Sequence, residues 1–391
     1  MTPKVLTGLD VFIQKDWKKL KGYKIGILSN QASISTNLMT TNSIINKLLP
    51  GHIQALFGPQ HGYKIKEQDN MIETPHSFDE DLKVPIFSLY SKTREPTQEM
   101  LDLIDILIID LQDVGTRVYT FSSTMLNCLK ACAKFNKKVV VLDRPNPLGG
   151  EKIEGNLLQS GLYSFVGQFS LPMRHGLTIG EMSLMFNEML GIKCELEVIP
   201  MKGWKRYMLW KDTGLRWIMP SPNMPNPETA MVYPGQVLWE GTNVSEGRGT
   251  CRPFEIFGAP YFNTKTILKY ISTFSINGCY LQEFYFKPMF HKWTNRTCNG
   301  FFIHILNPHL FEPYFTTLTL LHTIIKLHSS QFKWKKPPYE YEYTQMPIDI
   351  LIGNKTIRSY LETGMSVSIL KEEWASELYS YTQLKENYHL Y

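Results

Sequence analysis

Several turn-rich segments of the chain concentrate carboxylates beside side chains that bind polar ligands. They include GPQHGY at residues 58–63, DLQDVGTRVYT at residues 110–120 and WEGTNVSEGRGT at residues 239–250. Another pair joins DRPNP at residues 143–147 to the later RHG at residues 174–176. Glycine punctuates these segments, which favours loops that present their side chains to a ligand.

This combination of side chains suits a neutral or anionic sugar. Aromatic faces pack against the apolar side of a sugar ring, amides and carboxylates bind its hydroxyls, and arginine binds a carboxylate substituent. Cleavage of a glycosidic bond also needs an acid for the leaving oxygen, together with a second carboxylate or the acetamido group of the substrate. The residue types permit this chemistry without requiring it, because neighbouring Asp and Arg side chains more often form structural ion pairs.

The first half of the chain alternates apolar, strand-like runs with helix-like stretches, which predicts a doubly wound parallel sheet. The candidate polar side chains follow the ends of these strands, and in such a sheet the strand ends share one edge where ligands bind. No GxGxxG or Walker sequence follows any strand, so we expect no nucleotide cofactor, and none of another kind. The predicted strands span residues 24–29, 53–57, 84–89, 106–111 and 138–142.

Length and composition indicate more than one folded unit. The chain has 391 residues, of which 43% are hydrophobic, enough for a substantial core. We predict a Rossmann-like α/β domain over residues 1–155, a loop-rich, cleft-forming segment over 156–263 and a smaller α/β domain over 264–391. The proline-rich run at 219–227 excludes helix and central strand and predicts a rigid loop.

Charge and cysteine usage narrow the possible partners. A net charge of +5 spread over the whole chain argues against a nucleic-acid surface. The six cysteines form no CxxC pair and no HExxH motif occurs, so neither a disulfide framework nor a metal site is predicted. The N-terminal residues lack a signal peptide and no apolar run could span a bilayer, so we expect a cytoplasmic location. The oligomeric state is left open.

Six motifs in a fixed order carry a family resemblance. GPQHG, DLQDVGTRVYT, DRPNPLGG, RHGLTIGE, PSPNMPNPETAMVYPG and EGTNVSEGRGT together resemble the NamZ-type exo-β-N-acetylmuramidases of peptidoglycan turnover, across nearly the whole chain. The resemblance implies a Rossmann-like N-terminal domain packed on a smaller C-terminal domain, with a cleft between them and no metal. It also implies release of terminal N-acetylmuramic acid from the non-reducing end of a small saccharide or muropeptide.

One residue departs from the family pattern. Many relatives carry Glu, a plausible catalytic acid, where this chain has Gln60, and an amide cannot transfer a proton at neutral pH. Either Glu67 or Asp69 replaces it from the same loop, or Asp113 or Glu246 is the acid, or the protein binds sugar without cleaving it. We favour a retained hydrolase because the rest of the motif set is complete, with a non-catalytic saccharide-binding protein as the alternative.

These arguments define a predicted site. His61 and His175 each precede glycine, so a ligand-facing role and a turn-bracing role are equally open for both. We favour Arg248 for the lactyl carboxylate of muramic acid and Arg117 as support for Asp113. The predicted catalytic residues are Glu67, Asp113, Glu246 and His61. The predicted substrate-binding residues are Gln60, Asp69, Arg117, Tyr119, Asp143, Arg144, Asn146, His175, Asn223, Glu240, Asn243 and Arg248.

Overall fold

The computed structural model describes residues 4–64, 67 and 71–391. The strands are β1 (Ile25–Ser29), β2 (Ile53–Gly58), β3 (Ser77–Asp79), β4 (Val84–Ser88), β5 (Ile106–Asp110), β6 (Lys138–Leu142), β7 (Glu154–Leu157), β8 (Pro172–Arg174), β9 (Leu196–Ile199), β10 (Ile256–Ala259), β11 (Cys279–Phe286) and β12 (Cys298–Ile305). The α-helices are α1 (Gly8–Phe12), α2 (Thr41–Leu48), α3 (Gln98–Leu101), α4 (Phe121–Lys134), α5 (Ile179–Met189), α6 (Trp210–Thr213), α7 (Pro227–Gln236), α8 (Thr264–Ile271), α9 (Pro313–Leu327), α10 (Pro347–Ile352), α11 (Lys355–Thr363) and α12 (Val367–Glu386). Within the described ranges, no helix is long and apolar enough to cross a membrane.

A large sheet organises the first part of the chain. Its strand order is β3-β4-β2-β1-β5-β6-β9, and every pairing is parallel except that of β3 with β4. The five strands predicted from the sequence lie together in this sheet. The edge strands β3 and β9 were not predicted, and β9 draws residues 196–199 into the sheet.

Both faces of the sheet are covered, which explains why its central strands are continuously apolar. In β5, Leu107 and Ile109 pack into one core with α4 and α5, while Ile106 and Ile108 face a second core with α1 and α2. All four side chains are buried, and each such burial contributes roughly 1.5–3 kcal/mol. The polar residues that follow the strands are therefore carried on a rigid platform.

The second part of the chain forms a smaller domain with its own sheet. Its strands are antiparallel in the order β10-β12-β11. Helix α9 packs against α7 and α8, and α12 packs against β7. The predicted fold class is confirmed: a Rossmann-like parallel sheet domain packs on a smaller C-terminal α/β domain.

Local sequence signals explain where two helices begin. Helix α5 starts with the predicted capping box, in which Thr178 Oγ1 accepts from the Glu181 amide and the Glu181 carboxylate accepts from the Thr178 amide. Asn226 caps α7 by accepting from the Thr229 amide at 2.7 Å. Pro227 is the first residue of α7, so the prediction that residues 219–227 exclude helix is wrong at its last position. Proline is tolerated there because the first helical N–H has no intrahelical acceptor.

Candidate active site

A cavity of about 460 Å³ opens between the two domains, a size suited to one small ligand. The larger domain supplies the loop after β2 and the loop between β5 and α4, because the carboxyl ends of parallel strands share one edge. The smaller domain supplies a loop that follows α9. The polar lining residues are Gln60, His61, Tyr119, Thr120, Ser221, Asn223, Tyr233, Arg248, Tyr339 and Glu340.

Glu340 is the one carboxylate among the described residues that line this cavity. Its side chain is only 4% exposed. Tyr90 Oη donates to Glu340 Oε2 at 2.6 Å, and Gln60 Nε2 donates to Oε1 at 3.2 Å. Burial raises the pKa of Glu340 to about 7, and the charge of Glu240 acts in the same direction. A carboxyl group with a pKa near neutrality is suited to act as a general acid.

The orientation of the Gln60 amide is fixed by a third residue. Thr120 Oγ1 donates to Gln60 Oε1 at 2.6 Å, which directs the amide nitrogen towards Glu340. Thr120 immediately precedes α4, so the loops after β2 and β5 hold one another in place. Gln60 is therefore a positioning residue for the Glu340 carboxyl group.

The backbone around the cavity adopts a left-handed conformation at three non-glycine residues. The φ angles are 69° at His61, 46° at Glu340 and 66° at Tyr341. Each costs on the order of 1 kcal/mol or more and concentrates at functional sites. Paired backbone hydrogen bonds between Tyr339 and Glu342 close the turn that contains Glu340 and Tyr341. This turn directs the Glu340 side chain into the cavity.

Behind the cavity wall, Glu240 joins two lining residues. Its carboxylate accepts from Arg248 Nη2 at 2.7 Å and from Tyr339 Oη at 2.6 Å. The Arg248 guanidinium also lies 5.1 Å from the ring centre of Phe254. Glu240 thus fixes Arg248 and Tyr339 relative to each other without lining the cavity itself.

Glu246 lies in a cluster of cations. Its carboxylate is 2.7 Å from Lys292 Nζ, 3.2 Å from His291 Nδ1 and 3.3 Å from Arg248 Nε. Burial raises the pKa of Glu246, but Lys292, His291 and Arg248 more than offset it and hold the pKa below its usual range. The carboxylate is ionised at neutral pH, which suits a counterion better than a proton donor.

The structure brings five of the predicted residues together at this cavity: Gln60, His61, Tyr119, Asn223 and Arg248. Each is carried on a loop, so their convergence depends on the packing of both domains.

Glu67 and Asp69 belong to the loop that continues from His61. Glu67 lines a neighbouring pocket of about 730 Å³ that shares His61 with the first. The His61 ring donates from Nδ1 to the Glu67 carbonyl at 2.8 Å. Asp69 lies outside the described residues.

Arg117 lies in the core, away from the Glu340 cavity. Its guanidinium donates at 2.7–3.0 Å to backbone carbonyls on both domains. Its position makes it a bridge between segments and separates it from Asp113, which it was expected to support. The carbonyl donors' partners belong to Asn156, Leu171, Leu351 and Ile352.

Asp143 and Arg144 anchor internal contacts. Asp143 accepts at 2.7 Å from Thr178 Oγ1, the Gly180 amide and Tyr391 Oη. Arg144 forms a buried bidentate pair with Asp110 and lines a different cavity, of about 560 Å³.

The other predicted residues brace loops. Asp113 accepts from the Gly115 amide at 2.7 Å and lies 3.5 Å from His175 Nε2. Asn146 donates to the Leu177 carbonyl and leaves no room for a Cβ at Gly115. Asn243 accepts from the Lys333 amide and from Tyr261 Oη. None of Asp113, His175, Asn146 or Asn243 is among the residues lining the Glu340 cavity.

Sequence reasoning missed Glu340 and its immediate partners. The segment PPYEYEY at residues 337–343 carries two carboxylates between three tyrosines after a double proline. That mixture of rigid turn, aromatic faces and carboxylates matches the pattern used to select the other segments, and it could have identified Glu340.

Fold and site together define a two-domain α/β protein with a buried carboxyl group in an interdomain cavity. Comparison of the sequence with known families matches residues 25–228 to "Exo-beta-N-acetylmuramidase NamZ, N-terminal" and residues 231–391 to "Exo-beta-N-acetylmuramidase NamZ, C-terminal". The chain belongs to the NamZ exo-β-N-acetylmuramidase family.

Individual relatives match over the full length of the chain. It is 38% identical to the peptidoglycan β-N-acetylmuramidase NamZ of Bacillus subtilis strain 168 over 390 residues, covering 100% of this chain and 92% of that protein. Two crystal structures of DUF1343 family proteins from Bacteroides fragilis NCTC 9343 share the fold. One has a TM-score of 0.90 and 30% identity with all of both chains covered, the other 0.76 and 27% with 99% covered.

Proposed function

We propose that this protein is a glycoside hydrolase that releases terminal N-acetylmuramic acid from peptidoglycan-derived saccharides. The observation that carries the proposal is the position of Glu340, a buried carboxyl group with a pKa of about 7 in a cavity between two domains. The chain also shares 38% identity, over its full length, with a relative that bears this activity in its name.

In the proposed reaction, Glu340 is the general acid. It donates its proton to the glycosidic oxygen as the bond from that oxygen to the anomeric carbon breaks. Because Glu340 is the one carboxylate among the described lining residues, we assign the second role to the acetamido oxygen of the substrate, which bonds to the anomeric carbon. Water then attacks that carbon, its proton passes to Glu340, and the acetamido group is restored. One water is consumed and the anomeric configuration is retained.

Two neighbours of Glu340 support this proton transfer. Tyr90 Oη and Gln60 Nε2 each donate a hydrogen bond to the carboxyl group. Both bonds strengthen when Glu340 becomes a carboxylate, so they stabilise the state that exists after the proton has left. Gln60 contributes here through its amide, which gives the residue that departs from the family pattern a defined part in the site.

Two substrates test the role of Glu340. Wild-type protein should hydrolyse 4-nitrophenyl β-N-acetylmuraminide and MurNAc–GlcNAc, and proton NMR should detect the β anomer first. Glu340→Gln should slow cleavage of the disaccharide by about 10²–10⁴-fold. The nitrophenyl substrate should suffer less, because nitrophenolate leaves without a proton. Glu342→Gln is the matched control, since Glu342 lies on the same turn and is only slightly buried.

Two results would overturn these assignments. Equal losses on both substrates would remove Glu340 from the role of acid. Binding of MurNAc–GlcNAc by the folded wild-type protein without any release of sugar would instead select the non-catalytic saccharide-binding protein.

The setting that we propose is cell-wall recycling, because exo-type cleavage yields single muramic acid units that a cell can reuse. The cytoplasmic location expected from the sequence stays a prediction, which fractionation of cells and detection of the chain in each fraction would test.

A further inference from the structure

An arginine lies between two aromatic rings beside Glu340. The Arg94 guanidinium carbon is 4.3 Å from the ring centres of both Tyr90 and Tyr341. Tyr90 donates to Glu340, and Tyr341 directly follows Glu340 in the chain. Phe165 lies 5.7 Å away on another side. The cation is therefore held against the segments that surround the Glu340 carboxyl group.

Arg94 also has access to the mouth of the cavity. Arg94, Phe165 and Tyr341 are all half-buried. Phe165 is followed by Val166, and Tyr341 is preceded by Glu340, and both of these neighbours line the cavity. Two segments that contribute lining residues thus flank the guanidinium, which places it at the rim.

The charge of Arg94 is not taken up by an ion pair. Its guanidinium donates to the Ser91 carbonyl, and no Asp or Glu of the described residues lies within 4.0 Å of it. Arg248, by contrast, pairs with both Glu240 and Glu246. A buried arginine already bound by two carboxylates has little to offer a third, whereas Arg94 keeps its charge for a ligand.

We propose that Arg94 is a specificity-determining residue that binds the lactyl carboxylate of a terminal muramic acid whose ring occupies the Glu340 cavity. The inference rests on the proposed function and names the feature of the substrate that the site selects. The lactyl carboxylate is what distinguishes muramic acid from glucosamine. It takes over the part that the sequence assigned to Arg248.

Stacking leaves Arg94 equipped for this task. Tyr90 and Tyr341 contact the faces of the guanidinium, while its N–H donors lie in the plane and point outwards. A planar fork of donors binds a carboxylate through two parallel hydrogen bonds, and a guanidinium held in place by two rings loses little freedom on binding.

Occupation of Arg94 would also act on the acid. The charge of Arg94 lowers the pKa of Glu340, against the larger effect of burial. A bound lactyl carboxylate neutralises that charge, so the Glu340 proton is held more firmly once the correct sugar is present. Recognition of the substituent and protonation of the acid are thereby coupled.

The decisive comparison uses a muramic ligand with and without its negative charge. For wild-type protein, 4-nitrophenyl β-N-acetylmuraminide should have a KM about 10–100-fold lower than its lactyl methyl ester, the range expected for charge-assisted hydrogen bonds. Arg94→Gln should raise KM for the acid to the value for the ester while changing kcat less than about threefold. Arg94→Lys should lie between the two. Arg296→Gln is the matched control, because Arg296 is exposed and stacks on Trp293 at 5.0 Å outside the cavity.

The possible failures separate cleanly. If Arg94→Gln weakens acid and ester equally, or changes neither, Arg94 does not bind the lactyl group. If wild-type protein hydrolyses neither substrate, the proposed function fails. Calorimetry with free MurNAc and GlcNAc then still decides the matter, because a wild-type preference for MurNAc that Arg94→Gln abolishes supports the inference, and no preference overturns it.

Discussion

The amide nitrogen of Gln60 donates to Oε1 of Glu340 over 3.2 Å, joining two residues 280 positions apart. Gln60 follows a strand of the parallel sheet, whereas Glu340 comes from the smaller domain. A glutamate at position 60, as in many relatives, would place two carboxyl groups in contact. The amide instead supplies a donor that cannot compete for the proton, so this chain concentrates the acid function on Glu340.

Replacement of Gln60 by Glu tests that relationship. Two carboxyl groups at this separation cannot both ionise, so the pair should titrate in two steps, with the later step above the pKa of about 7 of Glu340. We expect the basic limb of the kcat/KM profile to move to higher pH by about one unit or more. An unchanged basic limb in a folded, active variant would mean that Glu340 is not the group that titrates.

Arg248→Lys should be destabilising. One ammonium group cannot reproduce the contacts with both Glu240 and Glu246, and a buried carboxylate left without its donor costs about 1–3 kcal/mol. Thermal unfolding measures the effect, and Arg252→Lys is the control, since Arg252 is 48% exposed in its pair with Glu255 and should change little. The sequence alone predicts a loss of muramic selectivity without a loss of stability, and that outcome would return Arg248 to a ligand-binding role.

Tyr391→Phe should destabilise the larger domain. The Tyr391 hydroxyl donates to Asp143 Oδ2 and accepts from the Met201 amide, both at 2.7 Å. Its loss leaves two buried partners unsatisfied, which we expect to lower the free energy of unfolding by about 1–3 kcal/mol. Urea unfolding compared with Tyr379→Phe, at a position that is 69% exposed, isolates the effect. Equal midpoints for the two variants would contradict it.

Glu154 should make stability fall as the pH rises. Burial raises the pKa of Glu154 to about 7 from its ordinary value of 4.5. Between these two values the folded state holds a proton that the unfolded state has released. The contribution of Glu154 to stability is therefore fully present below about pH 4.5 and falls by up to about 1.4 kcal/mol per pH unit as the pH approaches 7.

Glu154→Gln measures this contribution, because the amide can still accept from the Phe315 amide as Glu154 Oε1 does. Urea unfolding at several pH values from 5 to 7 should show a shallower fall in stability for the variant than for wild type. Parallel curves would rule out Glu154 as the source.

The sheet could be predicted because its strands carry their own signal. A run such as Ile106–Asp110 is apolar throughout and ends at a polar residue, and parallel strand ends must meet at one edge. That rule placed Gln60, His61 and Tyr119 at a common site. It could not separate them from Asp143 or Asn146, which follow a strand in the same way but turn inwards to bind their own loops.

Glu340 and Arg117 show why the rest escaped prediction. Glu340 lies on an aperiodic turn and reaches the site only through contacts between domains. The role of Arg117 depends on backbone carbonyls of remote segments, which side-chain identities do not report. In both residues the function is set by long-range packing, and spacing along the chain carries no trace of it.

Because the smaller domain delivers Glu340 into a cavity built largely by the larger one, catalysis depends on the docking of two separately packed bodies. Local separation requires less free energy than global unfolding. Mild heat or low urea should therefore extinguish turnover while the far-ultraviolet circular dichroism of the parallel sheet persists. Enzyme activity then becomes a sensitive gauge of interdomain contact, and an inactivation temperature measured by assay should fall below the melting temperature measured by calorimetry.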